Sequence, residues 1–208
     1  MTRSILTACL LAAAATTLPA IAQTPTQVPG QPDATRVSAG TYKADTAHTQ
    51  IAFVVNHLGF NAYHGLFGGS TGTLTIDPAN PSAAKVEIEI PMSGITTTSA
   101  ELTEHLKGAD FFDAAKFPTA RFVSTSVNAS GTEATITGNL TIKGVTKPVT
   151  LATKFIGAGK GPMNGLETVG FEATTSIKRS DFGVSFGIPL VSDEVPLQIT
   201  VAFEKPKS

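Results

Sequence analysis

The sequence predicts an all-β domain, an antiparallel barrel or sandwich of about eight long strands. Three observations predict it. From Tyr42 to Phe203 the apolar residues fall on every second position, the period that puts one face of a strand against a core. Segment after segment ends at Gly, Pro, Asn or Asp, residues that break a strand and turn the chain. Only one stretch, near Thr98 to Lys107, carries a helical signal instead.

In chain order, residues 1–22 read as a secretory signal. Arg3 precedes an apolar run from Leu6 to Ala15, and Ala20-Ile21-Ala22 supplies a small-x-small site before Gln23. Cleavage after Ala22 and a periplasmic location are expected, with release from the cell as the alternative. Leu6-Thr7-Ala8-Cys9 has the residue types of a lipobox, but the segment before Cys9 is too short for a basic region plus an apolar region of about 7 to 15 residues. The chain has 1 cysteine, so the mature protein would carry no disulfide. Residues 23–40 contain Pro25, Pro29 and Pro32 among Gln, Thr and Ser without an apolar period. They read as a flexible linker, leaving residues 41–205 as one domain.

Strands are expected near 42–45, 50–57, 64–76, 85–92, 120–127, 134–142, 149–157, 168–178 and 195–203. In the third, Phe67 and Leu74 have opposite parity, and an extra residue at Gly68-Gly69 would restore the register as a bulge. Between the fourth and fifth, Thr98 and Glu101 form a capping box for a short helix with Leu102 and Leu106 one turn apart.

The inward face collects Ile51, Phe53, Val55, Phe67, Leu74, Ile76, Phe122, Leu140, Phe155 and Phe171. A barrel of this size has an interior that is either filled by side chains or just holds one slender ligand, and periodicity leaves both open. His57 shares the parity of Phe53 and Val55 and ends the stripe, so it belongs either at a polar lumen mouth or in the core against a backbone carbonyl. His64, across the loop, is its candidate partner at that mouth. Two histidines without a neighbouring carboxylate make a weak metal site, so none is expected. His48 reads as structural beside Asp45. His105, one turn after Glu101, suits a solvated ion pair, and Arg179 with Asp181 a local salt bridge.

The chain carries 15 basic and 16 acidic side chains for a net charge of −1, one unit more negative once Arg3 leaves with the signal. No run of like charge occurs, which argues against nucleic acid and anionic surfaces as partners. Apparent catalytic motifs fail on context. Asp181-Phe182-Gly183 lacks the glycine loop and strand lysine of a kinase. Gly157-Ala158-Gly159-Lys160 is followed by Gly161, not Ser or Thr, and by no helix. No Gly-x-Ser-x-Gly elbow exists, so no catalytic residue and no cofactor is expected; an enzyme would need groups gathered from separate strands.

Several motifs occur together and in order: Asp45-x-x-His48, Phe53-x-x-x-His57-Leu58-Gly59, Gly65-x-Phe67, Glu104-His105-Leu106, Asp110-Phe111-Phe112-Asp113, Phe117-Pro118, Gly144-Val145-Thr146-Lys147-Pro148-Val149 and Arg179-x-Asp181-Phe182-Gly183. From Tyr42 to Glu204 the chain thereby resembles the YceI-like family of secreted bacterial proteins. The resemblance implies a lipocalin-like antiparallel β-barrel with one short helix in a crossover loop. It also implies a lumen that holds a polyisoprenoid or another long-chain lipid, such as an isoprenoid quinone, a polyprenyl phosphate or a fatty-acid derivative. That bound lipid is the ligand expected, for transport, storage or stress protection. A transient membrane or membrane-protein partner and a homodimer are the further partner classes it leaves open. Gly68-Gly69-Ser70-Thr71 departs from the bulkier, more polar residues of the family pattern.

Overall fold

The structure is a computed structural model that describes residues 27–207; the expected signal and its cleavage site lie outside the described residues. Eleven strands follow in order: β1 (Gly40–Ala44), β2 (Gln50–His57), β3 (Asn61–Phe67), β4 (Thr71–Ile76), β5 (Lys85–Pro91), β6 (Ile95–Thr96), β7 (Thr119–Ser130), β8 (Glu133–Ile142), β9 (Val145–Lys160), β10 (Glu167–Lys178) and β11 (Glu194–Glu204). All pairings are antiparallel, in the order β1-β4-β5-β7-β8-β9-β10-β11, and β1 returns to β11, which closes an eight-stranded barrel.

The remaining strands extend this barrel. β2 continues β1 along β11, β3 pairs with β2, and β6 pairs with β3. Residues 40–57, 61–76 and 85–96 thus behave as three long strands, each interrupted at a similar height. The interruption in the middle one replaces the expected bulge: β3 and β4 are separate strands, with Gly69 between them at φ 75°. Beyond the interruption no strand joins β6 to β7. The single α-helix among the described residues, α1 (Ala100–Lys107), and the loop after it cover that gap, with Leu106 and Phe112 packed on the core cluster that includes Phe67 and Ile95. Ser99, not Thr98, caps this helix, its side chain accepting from the Leu102 N–H at 3.2 Å. Thr98 instead meets the Tyr63 hydroxyl at 3.1 Å.

The two ends of the barrel differ. At one end Tyr42, Leu74, Ala158, Val169 and Phe203 are buried together. Phe171 packs there at 5.7 Å from Phe155 and 6.3 Å from Phe203 between ring centroids. These rings fill the interior. A polar cluster seals the outside of this end: Glu167 accepts from the Ser38 N–H at 2.6 Å, the Ser38 hydroxyl at 2.7 Å and the Tyr42 hydroxyl, while Lys205 Nζ donates to Ser38 Oγ at 2.6 Å.

Burial pulls the Glu167 pKa up, but the hydrogen bonds from Tyr42 and Ser38 and the charge of Lys205 outweigh it, and the net shift is downward. A carboxylate held below its unfolded value adds stability above the ordinary glutamate range and loses it as pH falls through the folded value. Glu167→Gln should therefore lower the thermal midpoint at neutral pH, with a solvent-screened effect of about 1 kcal/mol or less, and the difference from wild type should vanish in acid. Melting curves across pH check it; parallel curves for the two proteins would exclude the linkage.

For the described part of the expected linker, residues 27–40, the structure corrects the expectation of a free tether. Gln31 and Ala158 exchange backbone hydrogen bonds of 3.0 and 2.8 Å, and Val37 packs against the filled end. β9 runs past the end of β8, whose pairing stops at Glu133 with Lys154, so its free edge takes up the incoming chain. Gly157 and Gly159 leave room for that approach, since a Cβ on Gly159 would collide with the Pro29 carbonyl. The segment lacks an apolar period because backbone bonds at Gln31 and single side chains, Val37 and Ser38, attach it in place of an apolar stripe.

Candidate functional site

The other end of the barrel is hollow. A cavity of about 610 Å³ lies among β2, β3, β5 and β7–β11 and opens between α1 and the loops at that end. Its walls are the inward stripes of the strands. Ile51, Phe53, Val55 and Phe67 form one side, and Phe122, Leu140, Val149 and Leu151 the opposite one. Val195, Leu197 and Ile199 of β11 complete the ring. The stripe is continuous with that of the filled end.

Two glycines help keep this end empty. Phe53 stands opposite Gly65 across β2 and β3, and a Cβ on Gly65 would strike the Phe53 ring. Gly138 pairs with Ser124 and lies diagonal to Phe122, and a Cβ there would likewise strike the Phe122 ring. Each phenyl ring therefore lies along the wall over a bare backbone, an arrangement known to compensate glycine in strands.

The mouth is more polar. His57, Asn61, Tyr63, Thr97, Ser99 and His105 line it. The His57 and Tyr63 rings lie 6.4 Å apart. His105 packs edge-on against Phe111 at 5.0 Å and Phe186 at 5.5 Å, and its Nε2 is 3.4 Å from Asp110. It is thus a wall of the entrance, and its carboxylate partner is Asp110, not Glu101.

Arg179 was read as the partner of Asp181, and the structure corrects this. The residue is only 8% exposed, and its guanidinium donates to four backbone carbonyls: Ser192 at 2.8 Å, Val184 at 3.0 Å, Phe186 at 2.8 Å and Val191 at 3.0 Å. It is the anchor of the 184–192 loop, which supplies Val184, Phe186, Gly187 and Val191 to the cavity wall. Burial lowers its pKa and the nearby Asp193 raises it, for a net downward shift. Asp193 accepts from the Ser180 N–H at 2.8 Å and the Ser180 hydroxyl at 2.7 Å, and these bonds hold its pKa below the ordinary aspartate range. The Asp181-Phe182-Gly183 motif serves the same region, with Phe182 buried against the cluster of Phe122 and Leu140.

Of the residues expected in the lumen, Ile51, Phe53, Val55, Phe67, Phe122 and Leu140 line the cavity. Leu74, Ile76, Phe155 and Phe171 do not: they pack in the filled end, because they sit at the far end of their strands opposite Tyr42 and Phe203. His57 is at the mouth, whereas His64 is exposed on the opposite face of β3 from Tyr63 and Phe67 and does not join it. His48 meets Asp45 at 2.6 Å beside the strand start, as read from the sequence. Arg179, Phe182, the β11 stripe, Val149 and Leu151 of β9, and the mouth residues Asn61, Tyr63 and His105 are among the contributors not placed at the site by sequence. Among the described residues no three His, Cys, Asp or Glu side chains are grouped to hold a metal.

With this geometry in view, the comparisons with known proteins are specific. The family model described as the YceI-like domain matches residues 42–203. The chain belongs to the YceI-like family. Protein YceI of Salmonella arizonae is 45% identical over 165 residues, which cover 78% of this chain and 86% of that protein. Among solved structures, Burkholderia cenocepacia BcnA superposes with a TM-score of 0.68 at 27% identity, covering 76% of this chain and 98% of BcnA. A polyisoprenoid binding domain from Saccharophagus degradans superposes with a TM-score of 0.57 at 15% identity, covering 79% of this chain and 98% of that one. At that identity the last match speaks for the fold alone. Family membership and fold agree with the closed barrel and single helix described above.

Proposed function

We propose that this YceI-like protein is a binding protein, not an enzyme, that holds one polyisoprenoid or similar long-chain apolar lipid in the hollow end of its barrel. The observation that carries the reading is the cavity itself: apolar walls, one closed end, one open end with polar groups. Its 610 Å³ falls within the roughly 300 to 1,000 Å³ of pockets that enclose a single small ligand. The walls offer area and no pattern of donors, so binding comes from buried hydrocarbon at about 0.8 kcal/mol per methylene, reduced by the ordering of a flexible chain. Selectivity would follow length and girth along the walls. His57, Tyr63 and Asn61 would meet the head group at the mouth. The polyisoprenoid binding domain from Saccharophagus degradans, of the same fold, supports this choice of ligand class. The signal-like residues 1–22 support a periplasmic location as part of the same proposal, with transport, storage or protection of the lipid as the role.

Intact-mass analysis and solvent extraction of the exported protein test both parts. A chain beginning at Gln23, releasing about one lipid per protein, is the expected result. A filled barrel that serves only structure or a protein partner would release nothing and take up no polyprenol offered from detergent.

A further inference from the structure

Around the open end four large apolar side chains face solvent: Phe60 is 87% exposed, Leu190 66%, Phe186 51% and Leu58 44%. They come from two loops joined by backbone. The Leu58 N–H donates to the Leu190 carbonyl at 2.8 Å, His57 bridges to Val191, and Phe60 N–H closes the β2–β3 turn on the His57 carbonyl at 3.0 Å. The residues thus form one rim and not scattered exposure, the situation in which exposed apolar area marks an interaction surface. Leu58 holds φ at 58°, a conformation that disfavours a side chain with a Cβ, yet an apolar residue stands there.

We propose that this rim docks the barrel mouth onto a lipid bilayer of zwitterionic headgroups, its apolar side chains inserting to the acyl boundary, so that the ligand passes between membrane and cavity without crossing water. Three observations select a bilayer as the occupant. Neither loop, 57–64 nor 184–192, contains Asp, Glu, Lys or Arg, so no charged partner is matched and anionic lipid gains nothing over zwitterionic lipid. Second, the rim is continuous with the cavity: His57, Phe186 and Val191 belong to the same loops and line the entrance, while Leu58, Phe60 and Leu190 lie outside it. Third, a wall of hydrocarbon leading from the rim to the cavity floor matches a cargo whose reservoir is the bilayer interior. Side chains such as Phe and Leu at a loop tip bind interfaces by insertion in proportion to buried apolar area.

The inference rests on the lipid-carrier reading, and the test separates the two. The mature protein is mixed with phosphatidylcholine vesicles with and without a fluorescent polyprenol, and with the same polyprenol in detergent micelles. Wild type should co-float with plain vesicles to the same extent at low and high salt. The double variant F60S/L190S, whose residues do not line the cavity, should lose about tenfold in flotation and in the rate of extraction from vesicles. It should load from micelles as wild type does and keep the wild-type circular dichroism and melting midpoint. Loading from neither source would overturn the carrier reading. Normal loading from micelles combined with equal flotation and extraction by wild type and variant would overturn the docking proposal alone. So would salt-sensitive flotation that requires anionic lipid, or wild type that ignores vesicles and self-associates through the rim on light scattering.

Discussion

Arg179→Ala is expected to destabilise the protein by about 3 kcal/mol, as removal of a buried charged donor from its acceptors commonly does. The guanidinium is the shared partner of the Ser192, Val184, Phe186 and Val191 carbonyls. These four acceptors are spread over nine residues of loop, from Val184 to Ser192. Without the guanidinium those carbonyls need water, and the 184–192 loop must open to admit it. That loop is one wall of the cavity, so two readouts should move together. Equilibrium urea unfolding should show the lower midpoint, and hydrogen exchange should accelerate in residues 184–192 more than in the strands.

Arg179→Lys should recover less than half of the loss. The ammonium keeps the charge, but its three donors on one nitrogen cannot reproduce a planar fork spanning four carbonyls. Full recovery by lysine would mean that charge near Asp193, not hydrogen bonding, matters here. An unchanged midpoint for Arg179→Ala would mean that the loop is held by its apolar contacts alone.

Strand alternation was legible in the sequence because it follows from local geometry: Ile51, Phe53 and Val55 share a face whatever lies opposite. The interruption at 44–50 was legible too, between the strands expected at 42–45 and 50–57, and that at 67–71 was read as a bulge. That these two and the one at 91–95 form one bend across three neighbouring strands was not, because it is a property of their pairing. The division between hollow and filled ends was hidden for the same reason. Val149, Leu151 and Phe155 all lie on one face of β9, yet the first two line the cavity and the third packs beside Phe171. Depth along the axis depends on register, which periodicity does not contain. The β11 stripe Val195, Leu197 and Ile199 carried the right signal and needed only closure of the barrel against β1 and β2 to be placed at the site. Arg179 was misread because Asp181, close in sequence, is an easier partner to imagine than carbonyls up to thirteen residues away.

The sharpest test of a barrel hollow at one end is the same substitution made at both. Val169 is fully buried among Tyr42, Leu74, Ala158 and Phe203. Val169→Phe has nowhere to place its ring and should lower stability by about 2 to 3 kcal/mol through overpacking, with little change in the lipids accepted. Val55 faces the cavity, where a larger side chain meets empty space. Val55→Phe should shift the unfolding midpoint by less than about 1 kcal/mol while removing room for about four carbon atoms of ligand. Those atoms are close to one isoprene unit and worth about 3 kcal/mol of buried hydrocarbon before ordering costs are subtracted. A series of polyprenols of increasing length should therefore bind the variant with its longest member weakened at least tenfold and its shortest unaffected. Equal destabilisation by both substitutions, with no change in the length profile, would show that the two ends are packed alike in solution and that the cavity does not set the ligand.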